Sequence, residues 1–200
     1  MSDMATMLDA QTGISLRTFT VDEYHRMAEA GLFDEAPMVE LLDGLVVAMP
    51  PIGERHWVMH ALIVEYLIQR LNERVLVVGQ ISVPLGDRDE PQPDIALVAR
   101  SAITDLADRK RRVVPSEVLA LIEIAETSLL KDLGFKRRLY SDWEIPTYLV
   151  VDLPAGRLRK FSRPVEGDYA SEEILGRGDA FTLEAFPDVT LEVGRFLPPG

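Results

Sequence analysis

The chain contains no cysteine. That absence excludes a disulfide scaffold, a thiolate zinc site and a cysteine nucleophile, and is neutral about compartment. Histidine is scarce, with three in 200 residues. No HExxH pair occurs among them, which argues against a zinc hydrolase of that type. Positive charge is in deficit: 21 Lys and Arg stand against 33 Asp and Glu, a net of −12 with a pI near 4.7. Such a field repels nucleic acid on average, so any contact with DNA or RNA must be local. No apolar run approaches the roughly 18 to 20 residues of a membrane helix, and no basic-then-apolar leader opens the chain. The expectation is a soluble cytoplasmic protein without a membrane partner.

What is present is a globular composition, 47% hydrophobic and 27% charged. A chain of this length buries roughly 70% of its unfolded surface and needs no covalent or metal staple. Residues 1–17 are polar and aperiodic and read as a flexible tail, leaving 18–200 as one expected domain. Thr20 and Glu23 form a capping box ahead of Tyr24, Met27 and Ala28, and Gly31 is placed to end that short helix. Val39 to Val47 is a hairpin around Asp43-Gly44. After Pro50-Pro51, residues 54–73 carry Trp57, Ala61, Val64, Ile68 and Leu71 at helical spacing. Val75 to Val78 and Ile81 to Val83 suggest one strand bent at Gly79, with a charged turn over 86–92.

Ile95 to Ala99 is a short apolar run, and residues 101–117 are polar and basic. Val118 to Ala125 is almost continuously apolar, the signature of a strand covered on both faces. A helix is expected over 128–142 and a buried strand over 147–151. Strand-like pieces follow at 157–162, 171–175, 180–184 and 189–193. This order predicts an α/β (α+β) fold: a mixed central sheet flanked by helices, with extra hairpins at both ends.

Glu123 stands out because a carboxylate inside an apolar strand is costly unless a cation or donors offset it. Asp94 is similar, following Pro93 at the start of the 95–98 run. Two acids at the ends of neighbouring strands suit a hard divalent cation, Mg²⁺ or Mn²⁺. They also suit plain pairing with arginine or lysine, and spacing alone favours that pairing. Lys136 lies four residues after Asp132 on one helical face. It reads either as a group that orients water or phosphate, or as half of a surface ion pair. Gly53, Gly79 and Gly86 fit no phosphate loop, and Ser128 has neither a base partner nor a G-x-S-x-G elbow.

Taken together, Glu40-Leu41-Leu42-Asp43-Gly44, Pro93-Asp94-Ile95-Ala96, Glu123-Ile124-Ala125, Asp132 with Lys136, and Ile145 to Asp152 resemble one family. It is the Uma-type family of restriction-endonuclease-like proteins, within the PD-(D/E)XK nuclease superfamily. The likeness runs from about Thr18 to Phe161, and the order and spacing of the motifs carry it.

The resemblance implies a restriction-endonuclease-like core with a metal site at strand ends. In it Asp94 and Glu123 are metal ligands and Lys136 is the catalytic lysine. The usual lysine position, two residues after the glutamate, holds Ala125 here. Residues 123 and 125 share a strand face, so Lys136 must reach the same space from a helix. Glu40, also in the family motif, either completes the site or faces solvent by alternation. His56 is left outside the catalytic set, since a histidine near a helix start is more often a surface residue.

Basic residues concentrate between Ser101 and Trp143, where eight Lys/Arg against seven Asp/Glu give +1 and leave −13 for the rest. Arg109, Lys110, Arg111, Arg112 and Arg137 are candidates for phosphate contact, or else a solvated face. The implied activity is Mg²⁺- or Mn²⁺-dependent hydrolysis of nucleic acid, most readily DNA, with a homodimer as a possible partner arrangement. The rival readings are a non-catalytic interaction module on the same fold and metal-dependent chemistry on a small phosphorylated ligand.

Overall fold

The computed structural model describes residues 11–34, 38–102 and 112–198. They fall into two compact units, one drawn from Met1–Pro51 and Ser82–Gln92, the other from Ile52–Ile81 and Pro93–Gly200. Most of the expected tail, residues 1–10, and most of the basic stretch, residues 103–111, lie outside the described residues.

The first unit begins with α1 (Val21–Glu29). Thr20 accepts from the Glu23 amide while the Glu23 carboxylate accepts from the Thr20 amide, the reciprocal cap expected from sequence. β1 (Val39–Leu42) and β2 (Leu45–Ala48) pair antiparallel around Asp43 and Gly44, whose φ values are 52° and 72°. Two successive left-handed residues make the tight hairpin turn, and a Cβ at Gly44 would sit 2.7 Å from Thr18 Cβ. Residues 82–92 return beside β1, where Glu90 bridges Leu41. His25 Nε2 lies 2.7 Å from the buried Glu90 carboxylate.

The second unit holds α2 (Glu54–Leu71) and the strands β3 (Val75–Gly79), β4 (Ile95–Ala99), β5 (Val118–Ala125), β6 (Thr147–Asp152), β7 (Arg157–Val165) and β8 (Asp168–Leu175). They form one six-stranded sheet in that order, with β5 and β6 parallel and every other pair antiparallel. β9 (Ala180–Leu183) and β10 (Phe186–Glu192) close the chain as a separate hairpin.

Alternation divides the sheet into two buried faces. Ile95, Leu97, Ala120, Ile122, Ile124, Leu149 and Val151 join Met59, Ile63, Leu67 and Leu71 of α2 in the main core. On the other face Tyr148 meets Tyr140 edge to face at 4.9 Å and stacks near Phe161. That face is covered by the connection between the parallel strands β5 and β6.

Two local expectations are corrected. The strand expected to continue through Ile81 to Val83 ends at Gly79, because Gln80 turns into the left-handed region at φ 50° and donates its amide to the Asp94 carbonyl. Val83 instead bonds Pro91 within the first unit. The helix expected over 128–142 is composite. α3 (Leu129–Lys131) passes through a π-helical turn (Asp132–Lys136) into α4 (Arg137–Asp142).

Candidate active site

The register places the two sequence-selected acids opposite one another. Ile95 faces Ile122 across β4 and β5, so Asp94, one residue earlier, continues the pairing toward Glu123. Both follow the face opposite the main core, near the carboxyl end of β5. The Asp94 Oδ2 accepts from the Ile124 amide at 2.6 Å and lies 3.1 Å from His56 Nε2. Both bonds fall on one oxygen, so the chain holds this carboxylate by one edge. Its backbone is fixed as well: the Asp94 carbonyl accepts from the Gln80 amide and lies 3.0 Å from His60 Nε2.

Glu123 is 4% exposed, and its Oε1 accepts from Lys136 Nζ at 2.8 Å and from the Tyr140 hydroxyl at 3.0 Å. Lys136 is 1% exposed. Its ammonium thus meets the Glu123 carboxylate from the helix. Asp132 is also 1% exposed, which rules out the surface pairing with Lys136 that their four-residue spacing allowed. Its Oδ2 accepts from Ser128 Oγ at 2.5 Å, and its carbonyl accepts from the Tyr148 hydroxyl.

The π-helical turn explains how three side chains four residues apart share one direction. At 3.6 residues per turn, each four-residue step on an α-helix drifts by about 40° around the axis. The wider turn, closed by the Arg137 amide onto the Asp132 carbonyl five residues back, takes up that drift. Asp132, Lys136 and Tyr140 are all buried as a result.

Charge is unbalanced in this cluster. Among the described residues Asp94, Glu123 and Asp132 are three buried carboxylates, and Lys136 is a buried ammonium beside them. Burial raises the Asp132 pKa, opposed by Lys136, Ser128 and Lys131 and reinforced slightly by Asp94. For His56 burial pulls the pKa down, but the hydrogen bond and charge of Asp94, with Glu126 and Asp132 behind, bring the net shift upward. Burying ionised groups costs more than a single ion pair returns, so stability alone does not account for the cluster.

Asp94, Glu123 and Lys136 are thus brought together. Glu40 belongs to the first unit, where it is buried and its Oε2 accepts from the Gln92 amide; simple alternation onto solvent is overturned. Arg137 makes a two-bond pair with Asp168 at 2.6 and 2.9 Å and lies over the Phe161 ring at 4.4 Å. Arg112 is exposed, and Arg109, Lys110 and Arg111 lie outside the described residues. His56 and His60 were not selected from sequence. Their spacing of four on the first turns of α2 was the available signal, since it directs both toward one side.

Mg²⁺ is commonly held by one or two carboxylates together with water and substrate phosphate. The facing Asp94 and Glu123 supply hard oxygen donors of that kind. Among the described residues no group of three His, Asp or Glu side chains is spaced as a ready-made cage. A two-carboxylate site is what the donor set fits.

The fold is shared with solved structures. A crystal structure titled as a putative nuclease belonging to DUF820, from Anabaena variabilis ATCC 29413, superposes with a TM-score of 0.67 at 13% identity. The match covers 89% of this chain and 97% of that one, so the two share an α+β fold, a mixed central sheet with a restriction-endonuclease-like core. The profile of the Uma2 family, described as "Putative restriction endonuclease", matches residues 21–194. The chain belongs to the Uma2 family. No curated protein matches. No helix among the described residues is long and apolar enough to cross a membrane.

Proposed function

We propose that this protein is a nuclease of PD-(D/E)XK type that hydrolyses phosphodiester bonds in DNA with Mg²⁺ or Mn²⁺ held by Asp94 and Glu123. The observation that carries the reading is the buried Lys136–Glu123 pair beside Asp94, with the lysine delivered from the helix to the side of the strand where Ala125 stands. Family membership and the nuclease-like fold support the same activity.

A divalent cation bound there supplies water activation and charge neutralisation at the phosphate. The chain's own residues do the rest. Ile124 and His56 fix one edge of the Asp94 carboxylate and so orient the other. Tyr140 and Lys136 restrain Glu123, and the Lys136 ammonium places a positive charge where a phosphate oxygen gains negative charge. Sheet and helix exclude bulk water from Glu123 and Lys136, which strengthens each of these interactions. Arg109, Lys110, Arg111 and Arg112 are the proposed phosphate contacts, sparing the acidic remainder of the chain. Cutting both strands of a duplex calls for two such sites, which a homodimer would supply.

The test is cleavage of end-labelled duplex, single-stranded and branched DNA, and of RNA, with Mn²⁺ or with EDTA. Cleavage of DNA that needs the metal, and that Asp94→Asn and Lys136→Met reduce by at least about 100-fold, is the expected result. Metal-independent cleavage, or equal activity in the variants, overturns the reading. A folded protein that neither retains nor cuts any of these nucleic acids points to the interaction module.

A further inference from the structure

Asp132 is buried yet only half bonded. Ser128 satisfies Oδ2, whereas Oδ1 is one of five buried side-chain atoms among the described residues without a hydrogen-bond partner. His56 Nδ1 is another of the five, and the two residues influence each other electrostatically, as do Asp132 and Asp94. A buried carboxylate oxygen with no partner is costly, and proteins satisfy such atoms with ordered water where the surroundings are polar. The surroundings here are polar: Ser128 bonds the other oxygen, and Lys136, Asp94 and His56 lie within electrostatic reach. The anchors to Tyr148 and across the π-helical turn use the backbone carbonyl of Asp132, not its side chain.

We infer that Asp132 is a positioning residue of the site, its Oδ1 holding an ordered water inside the carboxylate cluster and through that water supporting the cation at Asp94 and Glu123. This rests on the cation-dependent reading above. Among the described residues no three side chains are spaced as a ready-made cage, which agrees with a carboxylate that acts through water instead of touching the ion. Ser128 has a part as well, because its hydroxyl fixes Oδ2 and so sets the direction of Oδ1.

The experiment is calorimetric titration of Mn²⁺ into wild type and Asp132→Asn, with the melting temperature of each measured in EDTA. Asparagine keeps the shape and a Ser128 acceptor but replaces the second acceptor oxygen. The expected result is Mn²⁺ affinity weakened by about tenfold or more, the usual effect of losing a group that supports a metal site. The metal-free melting temperature should fall by no more than about 3 °C. Unchanged affinity in Asp132→Asn overturns the inference while leaving the two-carboxylate site standing. No Mn²⁺ binding by wild type overturns the underlying reading and this inference with it. Should Asp132→Asn fail to fold, Ser128→Ala decides: affinity weakened several-fold supports the inference, and unchanged affinity overturns it.

Discussion

Lys136 Nζ and Glu123 Oε1 meet at 2.8 Å although the lysine comes from a π-helical turn and the glutamate from the centre of the sheet. Both side chains are almost wholly removed from solvent. Breaking one partner leaves an uncompensated buried charge, whereas neutralising both does not. Lys136→Met should therefore destabilise the protein by about 3–5 kcal/mol in urea denaturation. Adding Glu123→Gln to that variant should recover most of the loss. Additive losses in the double variant would show that the two charges do not depend on each other.

Gly79 sits where a methyl group would lie 2.7 Å from His60 Nε2. Gly79→Ala must push the imidazole off the Asp94 carbonyl, at a cost of about 1–3 kcal/mol for overpacking. His60→Ala should make the same glycine substitution nearly neutral, so a double-mutant cycle should show coupling of about 1 kcal/mol or more. Independent effects would mean that the histidine can move aside freely.

The His56–Asp94 contact gives a stability term with a defined pH window. His56 has a raised folded-state pKa, so the folded protein holds this proton more firmly than the unfolded chain. That contribution is fully present below the unfolded value of 6.5 and is lost as pH rises through the folded value. The melting-temperature gap between wild type and His56→Gln should be widest near pH 6 and narrow steadily toward pH 9. A gap that widens with pH would contradict the assignment.

Asp89, in the first unit, is pushed up to about 6 by burial, with Asp43 adding repulsion against the help of its amide and Arg88. The folded state again binds the proton more tightly, so the benefit present below 3.8 disappears as pH rises through 6. Asp89→Asn, which keeps an oxygen to accept the Asp43 amide, should stabilise the protein at pH 7.5 by up to about 3 kcal/mol. Near pH 4 the two proteins should melt alike. Equal melting at pH 7.5 would argue against the burial cost.

Much of this was legible in the chain because local rules and burial agreed. The Thr20–Glu23 cap, the Asp43-Gly44 hairpin and the apolar run of β5 all form where their residues predict. Glu123 stood out as an acid within an apolar strand and Asp94 as one at the start of an apolar run. What escaped were features set by tertiary fit. The end of β3 depends on Gln80 bonding Asp94, a residue fourteen positions later. The π-helical turn leaves no signature in hydrophobic spacing, because one widened turn shifts the pattern by less than a residue. His56 looked like an exposed residue because nothing in α2 alone reveals that Asp94 faces it. Asp132 and Lys136, at salt-bridge spacing, looked like a surface pair until both proved buried.

Mn²⁺ titration of wild type beside Glu123→Gln tests, without any guess about substrate, whether the carboxylates of Asp94 and Glu123 form a divalent cation site. Saturable binding is expected in wild type, weakened by at least about tenfold in a variant that remains folded. Equal binding in both proteins, or none in either, would contradict it.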